Sequence, residues 1–427
     1  MKNRFLIALM LILSFTFTQS QDIQYAHYII DTLCSPTFHG RGYTNQGDTK
    51  AARFIANEFA KNNLEKFRDN YFQNYQLSTN TFSKEMKVSI GKKDLTAGID
   101  FMVALSSPSF KGEYKVFKID SNNVRSKADI DKILKKNLTN KIVIIDKQNI
   151  IDKEVVEFWA RLKRENPFHS KGIAYISDGK LTWGASDGKK QNDFVKLNLL
   201  RKALPEKIKK IKIDVEADYL QDYTTQNVVG YVKGKLFPDS FYVFSAHYDH
   251  LGQMGKDVFF PGANDNASGT AMVMDLARYY ATDTLNKPDY SMVFVLLSGE
   301  ETGLYGSTYL ASHPLFPLEK VKFLINLDMV GSGSDGITVV NATKFKEQYN
   351  RLNELNKEKG YLKAVAERGE SCNSDHCPFY EKGVPAIFIY SMGVEFSEYH
   401  NVYDLPNKIP LTKYNEIFKL LVDYLKY

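Results

Sequence analysis

Between Tyr242 and Glu301 three clusters of imidazole and carboxylate punctuate apolar runs. They are His247 and Asp249 in Ser-Ala-His-Tyr-Asp-His, Asp265 in Gly-Ala-Asn-Asp-Asn-Ala-Ser-Gly, and Glu300 with Glu301 in Leu-Ser-Gly-Glu-Glu-Thr-Gly. The apolar runs have the length and composition of strands, so the clusters fall where strands end. In an open α/β sheet, that rim is where ligands bind. A chain that delivers several lone-pair donors to one rim builds a metal site.

The remaining sequence from Gln226 onward supports such a sheet. Asn227–Val232, Phe241–Ala246, Ser291–Leu297, Val321–Leu327, Ile337–Val340 and Ala386–Tyr390 read as strands. Helices are expected over Ala267–Ala281, Gly306–Ser312, Thr343–Lys359 and Thr412–Lys426. Strands alternating with helices predict an α/β fold, a mostly parallel or mixed central sheet covered by helices on both faces. Upstream, Ile23–Leu33 has helical periodicity, and Asp48 is expected to cap a second helix through Phe59.

Between about Phe101 and Tyr219 the pattern changes to short strand candidates and two lysine-rich helical stretches, with no acid-histidine clusters. The expected organisation is therefore 1–20 as a leader, 21–100 as the N-terminal part of the catalytic domain, 101–220 as an inserted smaller α+β module, and 221–427 as the metal-binding part. The insertion suits a lid or a substrate-selecting element.

Residues 1–20 combine Lys2 and Arg4, an apolar run from Phe5 to Phe17, and small residues at Thr18 and Ser20, which is the pattern of a secretory signal. The run is too short for an anchor, which needs about 20 apolar residues. The mature chain is thus expected to be secreted or periplasmic, with no membrane association. The formal charge of +6, two of it from Lys2 and Arg4, is too mild to make nucleic acid a partner. Of three cysteines, Cys372 and Cys377 are close enough to bridge, and Cys34 is left over. Asn266 lies in a glycan acceptor triplet, but a glycan there would obstruct Asp265.

Two divalent cations sharing a water need imidazole and carboxylate donors, with one carboxylate between them. Five residues answer that need: His247, Asp265, Glu301, Asp328 in Ile-Asn-Leu-Asp-Met-Val-Gly, and His400 in Glu-Tyr-His-Asn-Val-Tyr-Asp. Glu300, beside Glu301 but projecting differently, is placed to act as general base. Asp249, two residues after His247, is placed to accept that histidine's other ring N–H. Asp375 in Ser374-Asp-His376 is a second candidate outer acceptor, with His376 in the pocket wall. Zinc suits this donor set, and cobalt or manganese could replace it.

The ordered motifs resemble the M28 family of dinuclear zinc aminopeptidases. They include His39-Gly-Arg-Gly42 and Thr225-Gln-Asn-Val-Val-Gly-Tyr231 as well as the clusters above. The resemblance implies two Zn2+, with Asp265 as the bridge, His247 and His400 on one ion and Glu301 and Asp328 on the other. It makes Glu300 the base and Tyr399 a helper of the oxyanion, and it implies peptide substrates with a free N-terminus. The inserted module occupies the place of a protease-associated domain. The alternatives are a glutaminyl cyclase with a single zinc and a metal-free, peptidase-like binding ectodomain.

Overall fold

Alternation along the strand Phe237–His247 decides which layer each side chain joins. Phe244 and Ala246 face one side, Phe241 and Val243 the other. The neighbouring strand Tyr290–Leu297 divides in the same way. A strand apolar on both faces has to be covered on both. Helices Ile23–Leu33, Gly47–Lys61, Gly269–Thr282, Lys346–Lys359 and Tyr414–Tyr424 cover one face, and the shorter Tyr305–Ser312 and His376–Glu381 the other. The computed structural model describes residues 22–147, 152–162, 164–282 and 287–426. The leader expected over 1–20 lies outside the described residues.

Four central strands, Tyr290–Leu297, Phe237–His247, Val321–Leu327 and Ala386–Met392, run parallel. Phe72–Thr81 and Asp218–Val232 extend the sheet antiparallel on one side, and Gly336–Val340 on the other, followed by Val365–Glu367. The fold is thus a mixed α/β sheet, and its parallel centre brings four strand ends to a single rim.

A second eight-stranded sheet runs in the order Lys93–Leu95, Met86–Ile90, Lys210–Val215, Phe110–Ile119, Lys141–Ile145, Gly172–Ser177, Val195–Leu200, Phe101–Val103. It begins earlier than the expected boundary at residue 101. Val88 and Ile90 alternate with polar neighbours and meet Ile213 and Ile211 across an antiparallel ladder, so Met86–Ile90 and Lys93–Leu95 join this sheet. One face carries helices Lys127–Leu134 and Lys153–Leu162. The other packs against Leu251, Met254 and Phe260, which come from the loops of the first sheet's rim.

Local chemistry sets the helix ends. The Asp22 carboxylate accepts the amides of Gln24 and Tyr25 and starts Ile23–Leu33, and Gly360, at φ +65°, ends Lys346–Lys359. Asp48 differs from its expected role as a cap. It lies inside the first turn of Gly47–Lys61, and its buried carboxylate accepts the hydroxyls of Tyr223 (2.8 Å) and Thr225 (2.7 Å).

Candidate metal centre

Each expected ligand occupies the rim of the first sheet. His247 ends its strand, Glu300 and Glu301 follow Tyr290–Leu297, and Asp328 follows Val321–Leu327. Asp265 sits in the turn Ala263–Ser268 that enters the helix Gly269–Thr282, and His400 lies in the long loop after Ala386–Met392. The turn bearing Glu300 and Glu301 requires Gly299, at φ +74°, because a Cβ there would stand 2.5 Å from the Tyr75 hydroxyl. The cap of the helix after Asp265 is Asn266, not Asp265. The Asn266 Oδ1 accepts the Gly269 amide (2.9 Å), and its Nδ2 donates to Leu327 O (3.0 Å). Fully buried and so engaged, Asn266 has no room for a glycan.

The two oxygens of Asp265 face different partners. Oδ1 is 3.4 Å from His247 Nε2, which is also 3.4 Å from Asp328 Oδ1. Oδ2 is 3.0 Å from His400 Nε2, which is 3.2 Å from Glu301 Oε2. The structure therefore groups His247 with Asp328 and His400 with Glu301. This corrects the grouping that put the two histidines together. Phe237–His247 lies between the parallel strands Tyr290–Leu297 and Val321–Leu327, so His247 ends beside both acidic loops, and His400 descends from its own loop onto the Glu301 side and leaves Asp328 to His247. Glu300 Oε2 is 4.0 Å from His247 Nε2, within reach of the same space.

Several neighbours differ from expectation. The Nδ1 of His247 is 3.1 Å from the main-chain carbonyl of Asp249 and 3.7 Å from its carboxylate, so the carbonyl is the nearer acceptor. The Asp249 carboxylate instead accepts the Glu300 amide at 3.3 Å. Asp375, fully buried, makes no hydrogen bond to any of the five. In Ser374-Asp375-His376 the group that touches the site is Ser374, whose hydroxyl donates to Asp328 Oδ2 at 2.8 Å. His376 Nε2 lies 2.8 Å from Ser371 O and its ring faces Phe388, in the wall. Tyr399 stacks on His400, with ring centroids 3.8 Å apart at 14°.

Three further residues shape the site without having been singled out for it. His250 Nδ1 contacts Glu301 Oε1 at 2.7 Å. Asp404 accepts the amides of Asn264 (2.8 Å) and Asp265 (3.0 Å). Arg41, fully buried, donates to the carbonyls of Tyr248, Pro261, Gly262 and Asp265, holding the loop that ends in the bridging candidate. The His-Gly-Arg-Gly motif was visible in sequence, but its partners lie over 200 residues away.

The electrostatics of the site fit a cation. Burial opposes charge on His247 and His400, yet both are pushed above the usual histidine range. Asp328, Glu300 and Asp265 raise His247, and Glu301 with Asp265 raises His400 to about 11. Burial and the neighbouring Glu301, Asp375 and Asp328 raise Glu300 well above the carboxylate range, against the pull of His247. Burial lifts Asp249 to about 8 and Asp375 to about 6. Burial also lifts the Tyr399 phenol, with Asp265 and Glu301 adding to it, which keeps its proton available. No lysine or arginine pairs with these carboxylates among the described residues, and the buried Oδ2 of Asp265 has no hydrogen-bond partner there. The histidines are raised because the carboxylates around them hold an excess of negative charge at 3.0–3.4 Å, and a divalent metal would offset it in place of the ring protons.

A mixed α/β sheet with buried histidine and carboxylate groups at the ends of its parallel strands has the donors that a metal centre needs. Residues 227–425 match the model of Peptidase family M28. A probable zinc metalloprotease of Pyricularia oryzae (strain 70-15) is 42% identical over 110 residues, 25% of this chain and 21% of that protein. Aminopeptidase YwaD of Bacillus subtilis (strain 168) is 34% identical over 175 residues, 39% of this chain and 36% of that protein. The match thus spans between about a fifth and just over a third of these curated relatives. The fold is shared along nearly the whole chain with BSAP, a zinc aminopeptidase from Bacillus subtilis. The TM-score is 0.69 at 19% identity, over 95% of this chain and 96% of that one.

Proposed function

We propose that the protein is an exported aminopeptidase that removes residues from the free N-terminus of peptides, with two divalent cations, zinc foremost, and Glu300 as general base. The observation that carries this is the division of Asp265, whose two oxygens face two separate histidine-carboxylate pairs. His247, Asp265 and Asp328 would hold one ion, and Asp265, Glu301 and His400 the other. The chemistry such ions supply when bound is Lewis acidity toward the scissile carbonyl and the attacking water.

The chain's own groups do the rest. Glu300 takes a proton from water as the new C–O bond forms and delivers it to the amine nitrogen as the C–N bond breaks. The Tyr399 phenol donates to the oxygen that gains charge at the carbonyl. Rim carboxylates hold the substrate's ammonium group, and the module packed on Leu251, Met254 and Phe260 serves as a lid that selects substrate. The disulfide between Cys372 and Cys377 supports an oxidising destination outside the cytoplasm, reached through a leader at residues 1–20.

The test uses short peptides with free or acetylated N-termini. The expected result is release of the first amino acid from the free peptides only, lost with a chelator and regained with added zinc. Glu300→Gln should lower kcat by about 100- to 10,000-fold. Equal cleavage of acetylated peptides, or full turnover in the Gln variant, would overturn the assignment. So would conversion of an N-terminal glutamine to pyroglutamate with a single ion per chain.

A further inference from the structure

The two halves of the centre rest on different supports. The His247–Asp328 half is held within the first sheet. Its strands are hydrogen-bonded neighbours, Thr270 Oγ1 donates to His247 O (2.9 Å), and Ser374 donates to Asp328. The Asp265–Glu301–His400 half is held partly from outside, by the inserted module.

That outside contact converges on Trp183, in the connection between strands Gly172–Ser177 and Val195–Leu200. Its backbone N–H donates to the carbonyl of His400 at 2.8 Å. Its indole Nε1–H donates to Val103 O at 2.7 Å, tying it to the second sheet. Its ring stacks on Phe260, with centroids 4.8 Å apart at 29°. Phe260 is fully buried and leads through Pro261 and Gly262 into the turn that bears Asp265. One residue of the module therefore meets both loops, its main chain the loop of His400 and its ring the segment that leads to Asp265.

Lys180 reinforces the grip. It forms an ion pair with Glu398, two residues before His400, and lies 5.2 Å from the ring centroid of Tyr403, three residues after it. His400 itself needs a brace, because its φ of +51° is one that non-glycine residues seldom adopt. A cavity of only about 20 Å³, lined in part by Trp183, Ala185, His250 and Thr302, separates module and rim. That is room for about one water, so the module bears directly on the site.

We propose that Trp183 is a positioning residue and that the inserted module is a working part of the Asp265–Glu301–His400 half of the centre. On this account the two cation sites are unequal. The ion held by His400 depends more on the module, which meets both loops that hold it, than the ion held by His247 and Asp328, which has only Asp265 in common with them. The proposal rests on the two-cation reading above. Outer partners of metal ligands set ligand orientation, and their loss typically weakens an ion about 10- to 100-fold.

The experiment measures zinc per chain and stepwise zinc affinity in the metal-depleted full chain for wild type, Trp183→Phe, Trp183→Ala and Lys180→Ala, with melting curves alongside. Trp183→Ala should weaken the ion held by His400 about 10- to 100-fold and the ion held by His247 and Asp328 less. Trp183→Phe, which retains the stack, should weaken the ion held by His400 less than Trp183→Ala does. Because Lys180 is exposed, Lys180→Ala should fold normally and weaken the same ion, and exchanging the charges of Lys180 and Glu398 should restore it. Equal loss of both ions, or wild-type affinities throughout, overturns the proposal. A wild-type chain that never takes a second ion overturns the two-cation reading and the proposal with it.

Discussion

Replacing Arg41 by alanine tests whether the loop that ends in Asp265 is held from within. The guanidinium is fully buried and donates to Tyr248 O (2.7 Å), Gly262 O (2.8 Å) and Pro261 O, with longer contacts to Leu33 O (3.3 Å) and Asp265 O (3.4 Å). Charged donors contribute about 1.5–3 kcal/mol per bond, and the three short bonds dominate. Relief of the buried charge and entry of water offset part of the loss, leaving about 4 kcal/mol for Arg41→Ala. Lysine keeps the charge but presents a compact ammonium that cannot span carbonyls arranged for a fork, so Arg41→Lys should lose about half as much. The His39-Gly40-Arg41 stretch is left-handed at all three residues, and a Cβ on Gly40 would stand 2.2 Å from Gly252 O. Neither variant alters that backbone demand. Urea unfolding of the metal-free protein, with the m-value unchanged, gives the stability loss, and peptide turnover of the metal-loaded protein gives the effect on the site. A midpoint for Arg41→Ala indistinguishable from wild type would refute the reasoning. So would a destabilised variant with unaltered turnover.

Two other outcomes are expected. Ser374→Ala removes the 2.8 Å bond to Asp328 and should weaken one zinc-binding step about 10- to 100-fold while the other holds, as read by titration calorimetry. If both steps weaken together, Ser374 does not act through Asp328. Asp48 is almost wholly buried, and burial raises its carboxyl to about 6, against the bonds from Thr225 and Tyr223. The folded chain then retains a proton that the unfolded chain has released, so this group's contribution to stability falls as pH rises from about 4 to 6 and is constant above that. The shift corresponds to about 3 kcal/mol. Asp48→Asn should remove that slope, and urea midpoints that shift equally in both proteins between pH 4 and 7 would contradict it.

The elements that position the site were legible because the apolar runs are long and uninterrupted. Val321–Leu327 was expected with those bounds, and Phe241–Ala246 lies within the strand Phe237–His247. The start of the second sheet was not legible, because Met86–Ile90 alternates in the same way whichever sheet it joins. Only its partners, Ile211 and Ile213, more than 100 residues away, decide the matter. The five candidate ligands could be named because imidazole and carboxylate at strand ends announce themselves. Their grouping could not, because it depends on which strand ends are adjacent and from which side the loop of His400 descends. Arg41, His250 and Asp404 escaped for a related reason. Each acts on main chain or on a carboxylate far along the sequence, and nothing in the local spacing marks a buried arginine that binds carbonyls.

The central claim is that Asp265 lies between two cations, each with its own histidine and carboxylate. Crystals of the zinc-loaded protein, measured on either side of the zinc absorption edge, test this directly. The account predicts two anomalous peaks about 3.5–4 Å apart, one beside His247 and Asp328 and the other beside His400 and Glu301, with the Asp265 carboxylate joining them. A single peak, or one ion bound by both His247 and His400, would contradict it.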